Sequence, residues 1–407
     1  MAFYTLIDMT SDGKVCFAEG AIPGEYVEAL VTEEKSDFCR ATTVSVLEPS
    51  PDRIAPACTL YGSCGGCQQQ HVTYNRQISL KQEILSDMLR RIGKLDIALA
   101  EPLADAHPWA YRHRAQFKSN HGLLGFYRAG SRDIVDVVHC PVLCDGISAA
   151  LKNIRAVLSR NAHIASAISD IHLVSNNKTT AALCKVRAGE NLSLADFELF
   201  RAEAELAGLI VQSAHQEIGR FGEPLVVFNL LGLQYAAAAD SFFQGHWRLN
   251  ERVVAAVRDT LQPLAGKRIL DLYAGAGNFS LPLAAAGAEV TAVEEHAAAV
   301  ASGRDNCARN RIDLIRFVQS PLEHYIPEGP VDAIILDPPR PGLANSVAEA
   351  IVQTNAQRIV YVSCNPSTFA RDLRKLSAGY TITEVQLIDF FPQTYHIEAM
   401  AVLEKKQ

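Results

Sequence analysis

From about residue 250 onward, apolar β-type runs alternate strictly with helical patterns, and this constrains the fold more than any other feature of the chain. A helix expected near 247–261 leads to a strand over Arg268–Leu272, a glycine loop and a helix from about 278. Strand Glu289–Val293, helix 296–309 and strand Arg316–Gln319 continue the series. Strand Val331–Leu336, helix 344–355, strand Arg358–Val362 and two further β runs complete it. Apolar strands separated by helices predict a mostly parallel sheet covered on both faces, an α/β fold of Rossmann-like type. Ligands of such sheets bind at the carboxyl ends of the strands.

Three segments end strands at that edge. Asp271-Leu-Tyr273-Ala-Gly275-Ala-Gly277-Asn278 follows the first strand and opens a helix. Dinucleotide sites also use a glycine loop, but here the third glycine is missing from its expected place. The next strand ends at Glu294, 17 residues after Gly277, where a carboxylate can take two ribose hydroxyls. Both features match the S-adenosylmethionine pocket of Rossmann-like methyltransferases. The second segment, Asp337-Pro338-Pro339-Arg340-Pro341-Gly342, cannot continue in a sheet, so its prolines hold Asp337 at the pocket rim. The third, Ser363-Cys364-Asn365-Pro366, sets a thiol beside the expected methyl donor.

A thiol there has a chemical use. C5 of uracil is too weak a nucleophile to attack a sulfonium methyl group, whereas thiolate addition at C6 makes C5 enolate-like. A base must then remove the C5 proton. Glu398, near the last strand, is the candidate, and burial against an apolar wall predicts a raised pKa. His396 reads as an ordinary strand histidine, with support of that carboxylate as the alternative. A cytosine-C5 enzyme would also use a thiol, and a small-molecule methyltransferase would not need the 240 residues upstream.

Those upstream residues hold two other patterns. Phe3–Ile7, Val15–Phe17 and Tyr26–Val31, separated by turn signals at Ser11-Asp12-Gly13 and Ile22-Pro23-Gly24-Glu25, fit a small antiparallel barrel or sheet. EPSPDRIAP over 48–56 reads as a linker, 74–93 as a helix, and about 110–240 as an α+β region with helices near 145–160 and 194–207. Among the 10 cysteines, Cys58, Cys64 and Cys67 cluster around a glycine pair, and Cys140 precedes a proline, with Cys144 a rival partner. Zinc sites usually show two Cys-x2-4-Cys hooks and this chain has one, so four thiolates fit a 4Fe–4S cluster better; zinc stays the competing metal.

Composition limits the partners. The net charge of −7 argues against a surface wrapped in nucleic acid, yet Arg76, Lys81, Arg90, Arg91 and Lys94, then Arg112, Arg114, Lys118, Arg128 and Arg132, form local basic stretches. They read as phosphate contacts or as a solvated face. No run approaches the ~18 apolar residues of a membrane helix. The N-terminus lacks a basic segment followed by an apolar one, so a cytoplasmic protein is expected.

Taken in order, these motifs resemble the iron–sulfur RNA uridine-C5 methyltransferases, the family of the 23S rRNA and tRNA 5-methyluridine enzymes, over essentially the whole chain. The resemblance implies a TRAM-like (OB-like) β-barrel at 1–56, a central α+β iron–sulfur RNA-binding domain at 57–240 and a Rossmann-like methyltransferase domain at 241–407. It implies cluster ligands Cys58, Cys64, Cys67 and Cys140, and cofactor contacts from Gln244 (in SFFQ), Tyr273, Gly275, Asn278, Glu294 and Asp337. It makes Cys364 the nucleophile and Glu398 the base. The expected partner is RNA, 23S rRNA ahead of tRNA uridine-54, acted on by a monomer that flips out one uridine. A non-catalytic iron–sulfur RNA-binding protein is the alternative. The cluster is expected to be structural, since Cys-x3-Cys-x2-Cys is absent. Where many relatives have a small residue and Asn after SFFQ, this chain has Gly245-His246.

Overall fold

The computed structural model describes residues 5–8 and 15–407 except 190, 191, 215, 326 and 328. The turn expected at 11–13 lies outside the described residues, as do the first residues of the run Phe3–Ile7. Strands Thr5–Asp8, Val15–Glu19, Tyr26–Glu34 and Phe38–Glu48 form one sheet in which the second and fourth pair in parallel. That parallel pair departs from the antiparallel arrangement that the turn signals predict. Its inward positions are small, Cys16, Ala18, Cys39 and Ala41, so this sheet buries little apolar area.

The middle of the chain builds a seven-stranded sheet in which only Thr180–Val186 and Gly208–Ser213 pair in parallel. Helix Asp145–Arg160 covers it because Ile147, Ala150, Leu151, Ile154, Val157 and Leu158 recur at helical spacing, and all are buried. The helix expected over 194–207 stops at Glu203, and Glu205 takes a left-handed φ of 55°.

The C-terminal region is the predicted α/β layer structure. Strand order across the sheet runs Ile315–Gln319, Glu289–Glu294, Arg268–Leu272, Ala333–Leu336, Arg358–Ser363, Glu398–Lys405, Tyr380–Ile388 and Ala100–Leu103. The first five are mutually parallel, and Glu398–Lys405 is antiparallel to both neighbours. Alternate residues supply two separate cores: Ile269, Ile335 and Val360 on one face, Leu270, Ile334 and Ile359 on the other.

Helix Tyr74–Met88 and strand Ala100–Leu103, inside the expected central segment 57–240, pack on this C-terminal sheet. Ile78 and Leu85 join the second core, and the strand adds an eighth, parallel edge beside Tyr380–Ile388. Among the described residues, no helix is long and apolar enough to cross a membrane.

Candidate active site

Parallel strands deliver their carboxyl ends to one edge, which brings Tyr273, Glu294, Asp337 and Cys364 there. Glu398 arrives from the opposite direction as the first residue of an antiparallel strand. Ser363 pairs with Ala399, so Cys364 and Glu398 are the next residues out on adjacent strands. The thiol and the carboxyl therefore flank one spot.

The glycine loop is held in a tight left-handed path. Tyr273, Gly275 and Gly277 have φ of 63°, 55° and 87°. At Tyr273 this costs about 1 kcal/mol, since a Cβ crowds the following carbonyl. Gly275 donates its amide to Glu294 Oε2 at 3.0 Å, and His296 donates to Oε1 at 2.9 Å. Each Glu294 oxygen thus keeps lone pairs for further donors. Space is open where a Gly275 side chain would stand, so a ligand can approach the backbone closely.

Asn278 exchanges two side-chain hydrogen bonds with Asn250, at 2.8 and 3.0 Å. Asn250 is fully buried on the apolar face of helix Trp247–Thr260, among Leu249, Val253, Val254 and Val257. In the sequence, the signal for this support residue is an amide interrupting the apolar stripe of the helix. Gln244 lies partly exposed just ahead of this helix. His246 is buried, accepts the Leu249 amide at 3.4 Å and stacks on Tyr111 at 4.7 Å. The Gly245-His246 departure therefore serves helix entry and packing.

The Asp337 loop and the Cys364 turn are tied together. Asn365 caps helix Pro366–Leu376 by accepting the Ser367 amide at 3.1 Å, and its own amide donates to Arg340 O at 3.1 Å. Buried Asp372 accepts the Leu343 amide at 2.8 Å and the Tyr361 hydroxyl at 3.0 Å. Gly342, with φ of 75°, passes so close that a Cβ would stand 2.3 Å from Asp372 Oδ2. Gly342→Ala is expected to lower stability by about 1–3 kcal/mol and to shift the Asp337 loop. Thermal melts together with methyl-donor affinity check this.

Several carboxyls here are pushed toward neutrality. Burial raises Glu398 to about 8, helped by repulsion from Asp337 and Asp389 and opposed by Arg340 and Lys81. Burial raises Asp337 to about 7, with Asp271 adding to it. Asp271 also rises to about 7 through burial, although Ser280 donates to it at 2.5 Å. The Cys364 thiol goes up to about 11, first from burial, then from Glu398 and Asp337. His396 lies in the loop before the last strand rather than on it, and burial drops it to about 4.

The cysteines converge elsewhere. Cys58, Cys64, Cys67 and Cys140 line one cavity of about 340 Å³, together with Arg112. Burial, then repulsion from Cys140 and Cys64, pushes Cys67 up to about 12. Cys144 is buried in the core at the N-cap of helix Asp145–Arg160 and does not line this cavity. Among the described residues, no three His, Cys, Asp or Glu side chains gather as a site for a single metal ion. None of the 10 cysteines forms a disulfide.

The basic stretches divide. Arg90 and Arg91 are well exposed and share Asp87, and Arg128 and Arg132 face solvent. Lys81 cannot touch phosphate, contrary to the sequence expectation: it is fully buried and paired with Asp389 at 2.6 Å. Burial of an amine without a partner would be prohibitive, which is why Asp389 accompanies it.

Comparison with known proteins places this architecture. Residues 73–327 and 322–406 match the family described as tRNA (Uracil-5-)-methyltransferase. The chain belongs to that family. Among its relatives is the 23S rRNA (uracil(1939)-C(5))-methyltransferase RlmD of Shewanella amazonensis, 35% identical over 96% of this chain and 91% of that protein. The protein of the same name from Salmonella typhimurium is 36% identical over 97% and 92%. The crystal structure of Pyrococcus abyssi tRNA (uracil-54, C5)-methyltransferase in complex with S-adenosyl-L-homocysteine superposes with a TM-score of 0.79, covering 99% of each chain at 22% identity. At that identity the likeness is one of fold.

Proposed function

We propose that this protein methylates C5 of a uridine in RNA, with 23S rRNA as its substrate, in the cytoplasm and as a monomer. The observation that carries the reaction is the placing of Cys364 and Glu398 next to each other at the sheet edge, beside the glycine loop. The relatives' names carry the choice of 23S rRNA.

S-adenosylmethionine, when bound, supplies the methyl group and leaves as S-adenosylhomocysteine. Glu294 would hold its ribose, while Tyr273, Gly275, Asn278, Asp337 and Gln244 would complete the pocket. The open side of Gly275 and the free lone pairs of Glu294 fit this use. Cys364, its thiol proton given up to solvent, forms a bond to C6 of a flipped-out uracil, and the displaced π electrons make C5 the nucleophile that takes the methyl group. Glu398 then takes the C5 proton, the C6–S bond breaks and the thiolate is released. Exposed Arg90, Arg91, Arg128 and Arg132 are the phosphate contacts, which makes binding salt-dependent.

Cys58, Cys64, Cys67 and Cys140 would hold a 4Fe–4S cluster. Four partly buried cysteines lining one cavity of about 340 Å³, three of them around a glycine pair, are what supports the cluster. Anaerobic Cys67→Ala protein should lose most of its iron and its visible absorbance, whereas Cys144→Ala should keep both. Tightly bound zinc with no iron in the wild type would reject the cluster.

Mapping 5-methyluridine in total RNA from a strain lacking the protein tests the substrate. One missing 5-methyluridine in 23S rRNA is expected. Loss confined to tRNA would move the assignment there.

A further inference from the structure

Helix Tyr74–Met88 presents three polar side chains on one face, the half-buried Tyr74 and the buried Gln77 and Lys81. All three engage the loop that leads to Glu398. The Tyr74 hydroxyl and the Lys81 ammonium bond the two oxygens of Asp389 at 2.9 and 2.6 Å, and Lys81 also reaches Phe391 O at 3.1 Å. Gln77 is fully buried and grips Gln393. Its Oε1 accepts the Gln393 amide at 3.0 Å, and its Nε2 stands 3.0 Å from Gln393 Oε1 and 2.9 Å from both Gln69 O and Val72 O.

Gln393 needs such a grip. It is a non-glycine residue at φ of 69°, only 3% exposed, five positions before Glu398. A residue held in the left-handed region persists only where its surroundings over-determine it. The amides of Gln68 and Gln69, immediately after Cys67, add two bonds to Gln393 O at 2.9 and 3.0 Å. A strained turn on the base's own loop is thereby fastened to the cysteine segment.

We infer that Gln77 is a positioning residue for Glu398, locking the Gln393 turn and tying it to the segment that follows Cys67. The inference rests on the reading of Glu398 as the base. Loosening this turn leaves the thiol and the glycine loop in place, so addition and methylation proceed while proton removal lags. A methylated enzyme–RNA adduct through Cys364 then builds up.

The test uses cluster-loaded Gln77→Met with a uridine-bearing 23S rRNA fragment and S-adenosylmethionine. Turnover is expected to fall on the order of 10²-fold, as for a small misplacement of a reacting group. Methyl-donor affinity should hold, a methylated adduct should persist on denaturing gels, and the amides of 390–397 should exchange faster. Unchanged turnover, or turnover and adduct falling together with donor affinity intact, overturns the inference. If Gln77→Met loses donor binding, the double variant Gln77→Met/Gln393→Gly decides. Glycine takes the left-handed conformation without strain, so donor binding should return, and failure to return overturns the inference. Glu398→Gln run alongside separates the two ideas: no adduct there removes Glu398 as base, while adduct there and none in Gln77→Met removes the clamp.

Discussion

Cys364→Ala should abolish methyl transfer, lowering turnover by about 10⁴-fold or more, with methyl-donor affinity unchanged. The reason is electronic. Without a sulfur on C6, C5 keeps the weak nucleophilicity of an aromatic-like ring carbon, and no other thiol ends a strand at this edge. Donor affinity persists because the glycine loop and Glu294 are braced by Asn250, Asn278 and backbone amides, none of which involves Cys364. Serine at this position should fare no better, since its hydroxyl ionises far less readily than a thiol. Radiolabelled methyl transfer to a 23S rRNA transcript, paired with calorimetric binding of the donor, measures both halves. Near-normal turnover in Cys364→Ala would end the covalent mechanism.

What the sequence disclosed and what it hid have physical explanations. The α/β series was readable because its strands are buried on both faces and appear as continuous apolar runs punctuated by glycine and proline. Tyr273, Glu294, Asp337 and Cys364 were legible for the same reason: each follows such a run directly. The seven-stranded middle sheet was harder, since strand Ile168–Ser175 returns across two helices to pair with Arg114–Asn120 and its one parallel pair follows no local rule. The polar supports were hidden. Asn250, Gln77 and Lys81 lie on helices whose periodicity points inward, and a pattern method sees an interrupted stripe rather than a partner 28 to 316 residues away. Lys81 misled through its charge, which counts toward a basic stretch in sequence but faces Asp389 in the fold.

Glu398→Gln should stall the reaction after methylation, cutting turnover by about 10²–10⁴-fold, the usual yield of a positioned base. The amide is nearly isosteric, so donor binding and addition of Cys364 to C6 continue, and a methylated covalent adduct collects. The wild-type pH profile follows from the same carboxyl. With its value raised to about 8, Glu398 is mostly protonated in the free protein near neutrality, so turnover should rise with pH as it ionises. The variant should lack the step at about 8 and keep only the rise that ionisation of the Cys364 thiol, raised to about 11, supplies. Stability moves the other way. Between the ordinary value of 4.5 and about 8, the folded chain holds a proton on Glu398 that the unfolded chain has released. More protons bound to the native state means that stability falls as pH increases through this window, and the contribution is gone above it. The neutral amide carries no such dependence, so Glu398→Gln should melt progressively higher than wild type as pH climbs from about 5 to about 9 in the absence of RNA. Parallel melting curves for the two proteins would refute the buried, protonated carboxyl, and with it the explanation of why this particular glutamate can act as a base.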